Sequence, residues 1–146
     1  MCFLLYAGTV NPISRRSWDR EAPDISVQSL GESEQDIRAH FDRPEVQKIG
    51  STSCCGCDFP WVMFQNGGWP TIGDSGEDED QSASDLFNRE ALVGLLRTIE
   101  EDSIELYGVW AGDYAKMPQC RERISLEAIL DPDFRFKERG YYEVRL

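Results

Sequence analysis

Between residues 83 and 101, apolar side chains return at every fourth position: Phe87, Ala91, Leu95 and Ile99, with Leu92 and Leu96 widening the stripe. That spacing predicts an α-helix with one buried face. It constrains the rest of the chain, because a long helix with one apolar stripe must lie against a broad apolar surface. Ser82, followed three residues later by Asp85, supplies a start signal, and an acid in the first turn suits the helix dipole. Gly94 lowers helix propensity by about 1 kcal/mol relative to alanine and reads as a point of close helix-to-sheet approach.

The surface for that helix comes from strands. Cys2 to Ala7 is an apolar run closed by Gly8, suited to a strand buried on both faces. Asp24 to Leu30 alternates Ile25 and Val27 with polar neighbours, and Val46 to Ser51 reads as a further strand. From Ile104 to Ala111, one face carries Ile104, Leu106 and Trp110 and the other carries Tyr107, Val109 and Ala111. At the end, Phe134 and Phe136, then Tyr142, Val144 and Leu146, alternate around Gly140, which predicts a hairpin with Gly140 at positive φ. Ser33 with Asp36 opens a short helix burying Ile37 and Phe41, stopped by Pro44. Ile124 to Leu130 fits either a short helix or extended chain.

Together these predict one α+β domain over 1–146: a mixed or antiparallel sheet of about five strands on helix 83–101, with one or two short helices. The stretch 73–82, which holds Asp74, Glu77, Asp78, Glu79 and Asp80, reads as a mobile acidic loop. Gly67 and Gly68 read as a tight turn between two short extended pieces.

Charge narrows the partners. With 15 basic against 27 acidic side chains the net charge is −12, a field that repels phosphate backbones and anionic lipid. The small basic groups Arg15, Arg16 and Arg20, and Arg121 and Arg123, are diluted by acids, so nucleic-acid and membrane partners are not expected. The run from Cys2 is too short for a span or a signal peptide, and no later segment approaches about 18 apolar residues. The expected location is cytoplasmic.

Five cysteines, an odd number, point to free thiols, ligands or reactive groups rather than a disulfide framework. Three of them, Cys54, Cys55 and Cys57, stand around Gly56 in a Ser/Gly-rich segment. A zinc reading uses Cys54 with Cys57, or Cys55 with Cys57, and takes Cys120, His40 or Cys2 to complete four ligands. A second C-x-x-C half-site is missing. A thiol-enzyme reading makes Cys57 or Cys55 the nucleophile or redox group. It needs the sole histidine, His40, as base, oriented by Asp36, Asp42 or Asp58. Asp58 opposes thiolate formation, and no helix start follows the cysteines. Cys2 would become an N-terminal nucleophile if Met1 were removed, but a small strand residue is the better reading.

Trp61, Met63, Phe64 and Trp69 follow the cysteines, as core or as a contact surface. The leading functional expectation is therefore an acidic domain acting through protein contacts, with a protein partner or by self-association as a dimer. The alternative is a thiol-dependent enzyme or zinc-binding protein built on the cysteine cluster.

Overall fold

A computed structural model describes residues 2–65, 69–71 and 79–146. Its main sheet has six strands: β1 (Phe3–Thr9), β2 (Ser26–Ser29), β3 (Glu45–Gly50), β6 (Ser103–Trp110), β7 (Cys120–Ser125) and β9 (Gly140–Arg145), in the order β2-β3-β1-β6-β9-β7. All pairings are antiparallel except β7 with β9. A smaller sheet orders β5 (Trp69–Thr71), β4 (Trp61–Gln65) and β8 (Phe136–Lys137). The long helix α1 runs Glu79–Leu96, and 3-10 helices occupy Glu32–His40 and Leu126–Leu130. This is the mixed sheet on one long helix that the sequence patterns imply.

Strand β1 is central and buried along its whole length. Phe3, Leu5 and Ala7 enter the core on the α1 side, with Ile104, Leu106, Leu92, Leu96 and Tyr142. Leu4 and Tyr6 face the other way, into a second core with Ile37, Phe41, Tyr107 and Val109. The face assignment expected for 104–111 holds residue by residue, with each face covered by its own layer. Each fully buried Leu, Val or Phe contributes roughly 1.5–3 kcal/mol, so two such cores make this sheet stiff.

Ala91, Leu92, Leu95, Leu96 and Ile99 of the predicted stripe lie in or against the core, and the helix departs from the pattern at Phe87 and in its bounds. Phe87 is 52% exposed and Leu86 51%, while Asn88, Arg89, Leu92, Val93, Leu95 and Leu96 are buried. Polar residues inside explain the turn of the helix. Asn88 Oδ1 accepts the Thr52 amide at 3.1 Å, and the Arg89 guanidinium donates to the carbonyls of Ile129, Asp131, Pro132 and Phe134. With 88 and 89 satisfied inside, 87 falls outside. The C-terminus stops at Leu96 because the Thr98 hydroxyl and amide both bond the Leu95 carbonyl. Gly94 has nothing within 4 Å of a built Cβ, so no close packing explains it.

Three further local readings are corrected. Strand β8 pairs with β4, not with β9, so the C-terminal segments do not form a hairpin, and Arg139 rather than Gly140 holds the positive φ. The first 3-10 helix opens at Glu32, where the Glu34 carboxylate accepts the Gly31 amide at 2.6 Å in place of a Ser33 cap. The acidic stretch read as a loop falls, over 73–78, outside the described residues, as does the Gly67-Gly68 turn. Helix α1 is already formed at Glu79. No helix of the described residues is long and apolar enough to cross a membrane.

Candidate metal centre

The loop between β3 and β4 folds tightly back on itself. The Ser51 amide donates to the Cys55 carbonyl at 2.7 Å, and the Cys54 amide donates to the Ser51 carbonyl at 2.9 Å. The second bond closes a turn that leaves Cys54 at φ 76, left-handed backbone that non-glycine residues seldom adopt. Asp58 anchors the turn as acceptor for the hydroxyls of Thr52 (3.2 Å) and Ser53, while the Ser51 hydroxyl donates to the Cys55 carbonyl at 2.5 Å. Outside anchors add to this: the Trp18 indole N–H donates to the Thr52 carbonyl, and the Thr52 amide reaches Asn88 on α1.

Gly56 then docks this loop on the central strand. Its amide donates to the Phe3 carbonyl at 2.9 Å. A Cβ at this position would lie 2.8 Å from that same oxygen and 3.3 Å from Leu4 Cα and Leu5 N. Only glycine gives the room. The docking sets Cys55 and Cys57 on either side of the start of β1. Cys57 packs against the first core and Cys55 against the second.

Cys2 lies just ahead of β1, where its carbonyl accepts the Ala111 amide at 2.8 Å and continues the ladder to β6. The three sulfurs of Cys2, Cys55 and Cys57 lie within 4.8 Å of one another. Zinc–sulfur bonds of about 2.3 Å at a tetrahedral angle place sulfurs about 3.8 Å apart. Contraction of at most about 1 Å would therefore bring the trio onto one ion, a movement within reach of partly exposed side chains.

Of the residues proposed from sequence, Cys2, Cys55 and Cys57 are brought together. Cys54 is exposed and outside the group. Cys120 opens β7, paired with Gly140, and burial pushes its thiol up. His40 is buried in the second layer, where Nε2 donates to the Tyr114 carbonyl at 2.8 Å and the ring packs on Tyr107. Neither joins the trio. Asp58, considered as an orienting carboxylate, accepts the Thr52 and Ser53 hydroxyls through Oδ2 and lies outside the trio. The sequence signal for this docking is Gly56, a glycine between two cysteines that lies on the backbone of Phe3.

Electrostatics bear on the Cys57 thiol as a nucleophile. Burial, a hydrogen bond shared with the Cys55 sulfur, and the charges of Cys55 and Cys2 push the Cys57 thiol up to about 12, against the pull of the Phe3 amide. A thiol held protonated is a poor nucleophile at neutral pH. A cation held by Cys2, Cys55 and Cys57 would reverse this by offsetting the mutual repulsion of their thiolates. Beside the trio stands an aromatic wall: Phe3 stacks on Trp61 at 5.8 Å, Trp61 meets Trp110 edge-on at 4.8 Å, and the Trp61 indole donates to the Cys57 carbonyl at 3.1 Å.

Fold and site together define an α+β domain with a three-thiol cluster at the leading end of its central strand. No known family model matches the chain, and comparisons with curated proteins and with solved structures find no match.

Proposed function

We propose that this protein binds a thiophilic metal ion, zinc foremost, through Cys2, Cys55 and Cys57. The observation that carries the reading is the convergence of three sulfurs within 4.8 Å from two segments about fifty residues apart in sequence. Zinc accepts such a sulfur set, and the five free cysteines fit a reducing compartment such as the cytoplasm. Support for metal over thiol catalysis comes from His40, which is committed to Tyr114 in the other layer, leaving the sulfurs without a histidine base.

Cobalt(II) substitution tests the reading. Intact protein is expected to take one cobalt with strong thiolate-to-metal charge-transfer absorption, lost in Cys55→Ser and Cys57→Ser and weakened in Cys2→Ser. Cys54→Ser and Cys120→Ser should behave as the parent does. Absence of the absorption in the folded parent, under reducing and metal-replete conditions, would sink the proposal.

One observation favours a contact role beside it. Leu86 and Phe87 present adjacent, half-exposed apolar side chains on α1, a patch suited to self-association. Size measured over a concentration series checks this: a monomer at every concentration removes the dimer.

A further inference from the structure

Asp58 accepts the Thr52 and Ser53 hydroxyls through Oδ2 and His40 lies in the other layer, and neither belongs to the trio. Among the described residues the group within reach of one ion is three cysteines, with no His, Asp or Glu. Cys2 is exposed and Cys55 and Cys57 are half-buried, so solvent reaches the trio.

Zinc sites with three protein ligands and an open fourth position exchange ligands, whereas structural sites are closed by four. Resting on the metal-binding reading, we propose that this centre is an exchange site whose fourth position takes an external thiol. Charge decides the class of ligand. Three thiolates on a divalent ion already leave a net charge of −1, within a chain of net charge −12. Such an ion is a weak electrophile, poorly suited to polarise water or a carbonyl. It still lowers a thiol's pKa, because a coordinating thiol is deprotonated outright, and sulfur-rich sites favour a further soft ligand. On binding, solvent leaves the fourth position, sulfur takes it, and the thiol proton passes to the buffer; no electrons are transferred.

The test uses cobalt-loaded full-length protein, reduced with a phosphine and free of added thiol. Adding 2-mercaptoethanol should raise the thiolate-to-cobalt absorption by about one-third, as four sulfurs replace three. The effect should saturate at one thiol per cobalt. Azide and acetate should leave the spectrum unchanged, and Cys54→Ser should respond like the parent. A spectrum insensitive to the thiol, or sensitive only in Cys54→Ser, means the chain fills its own fourth position and overturns the inference. Loss of cobalt to the thiol, or equal binding of azide, overturns it as well. Each of those outcomes leaves metal binding intact. No cobalt absorption at the outset overturns both.

Discussion

Replacing Gly56 by alanine probes the contact on which the cysteine loop depends. Gly56 is not at positive φ, so the effect is one of space. The added carbon would stand 2.8 Å from the Phe3 carbonyl oxygen, where about 3.3 Å is comfortable, and 3.3 Å from two more backbone atoms of β1. Strand β1 is paired on both sides and buried on both faces, so the loop must retreat by about 0.5 Å. That stretches the Gly56–Phe3 hydrogen bond from 2.9 Å toward the limit of a real bond. Its loss costs about 1 kcal/mol and overpacking costs about 1–3 kcal/mol. Reduced freedom of the unfolded chain returns about 0.4–1 kcal/mol. The expected net destabilisation is about 2 kcal/mol, read as a lower urea midpoint at unchanged slope. Gly94→Ala is the internal control: nothing lies within 4 Å of its built Cβ, so the helix should gain about 0.8 kcal/mol. If Gly56→Ala matches the parent in stability and in cobalt affinity, the close approach to β1 does not hold the site, and the reasoning fails.

Other substitutions follow from the same contacts. Arg89, 3% exposed, bonds four carbonyls. Arg89→Met should therefore cost about 3–5 kcal/mol by urea denaturation, with Arg89→Lys recovering part of it. Cys54→Gly should stabilise by about 1 kcal/mol by relieving the left-handed backbone, with metal binding intact. The Glu34 carboxyl lies below its usual value of 4.5 because the Gly31 amide, Lys48 and Tyr6 favour its charged form against the cost of burial. A depressed folded value gives stability that is present above 4.5 and lost as pH falls through the folded value. Denaturant midpoints should thus drop in that acidic window for the parent, and Glu34→Gln should flatten the drop.

Strand faces were legible in the sequence because alternation is a local property: 104–111 reads correctly with no knowledge of what covers either face. The helix stripe was legible from Ala91 to Ile99, but not at its first position. Four-residue spacing selects Phe87 as the inward residue, while the actual inward pair, Asn88 and Arg89, is paired with Thr52 and with the carbonyls at 129–134. Such partners are visible only after folding. The false hairpin at 134–146 has a similar origin. Phe136 and Tyr142 alternate correctly, but parallel pairing of β8 with β4 depends on a strand more than seventy residues earlier. At the site, the C-x-x-C spacing drew attention to Cys54, yet the turn closed by Ser51 directs Cys54 outward and leaves Cys55 and Cys57 beside β1. Cys2 could be named only as one of three completing ligands, since spacing says nothing of a residue so far away in sequence.

The order of these dependencies bears on what metal would do here. The loop is held by hydrogen bonds to Phe3, Asn88, Trp18 and Asp58, and the sheet beneath it by two apolar cores. A chain of 146 residues buries enough surface to fold without a metal, unlike small domains whose folding energy is their metal affinity. The sulfurs are therefore brought near one another by the fold, and metal binding spends little on ordering the chain. Chelators should strip the ion and leave the circular-dichroism spectrum and most of the stability in place. Collapse of the fold on chelation would mean a structural, closed site, and would count against exchange at the fourth position as strongly as a silent thiol titration.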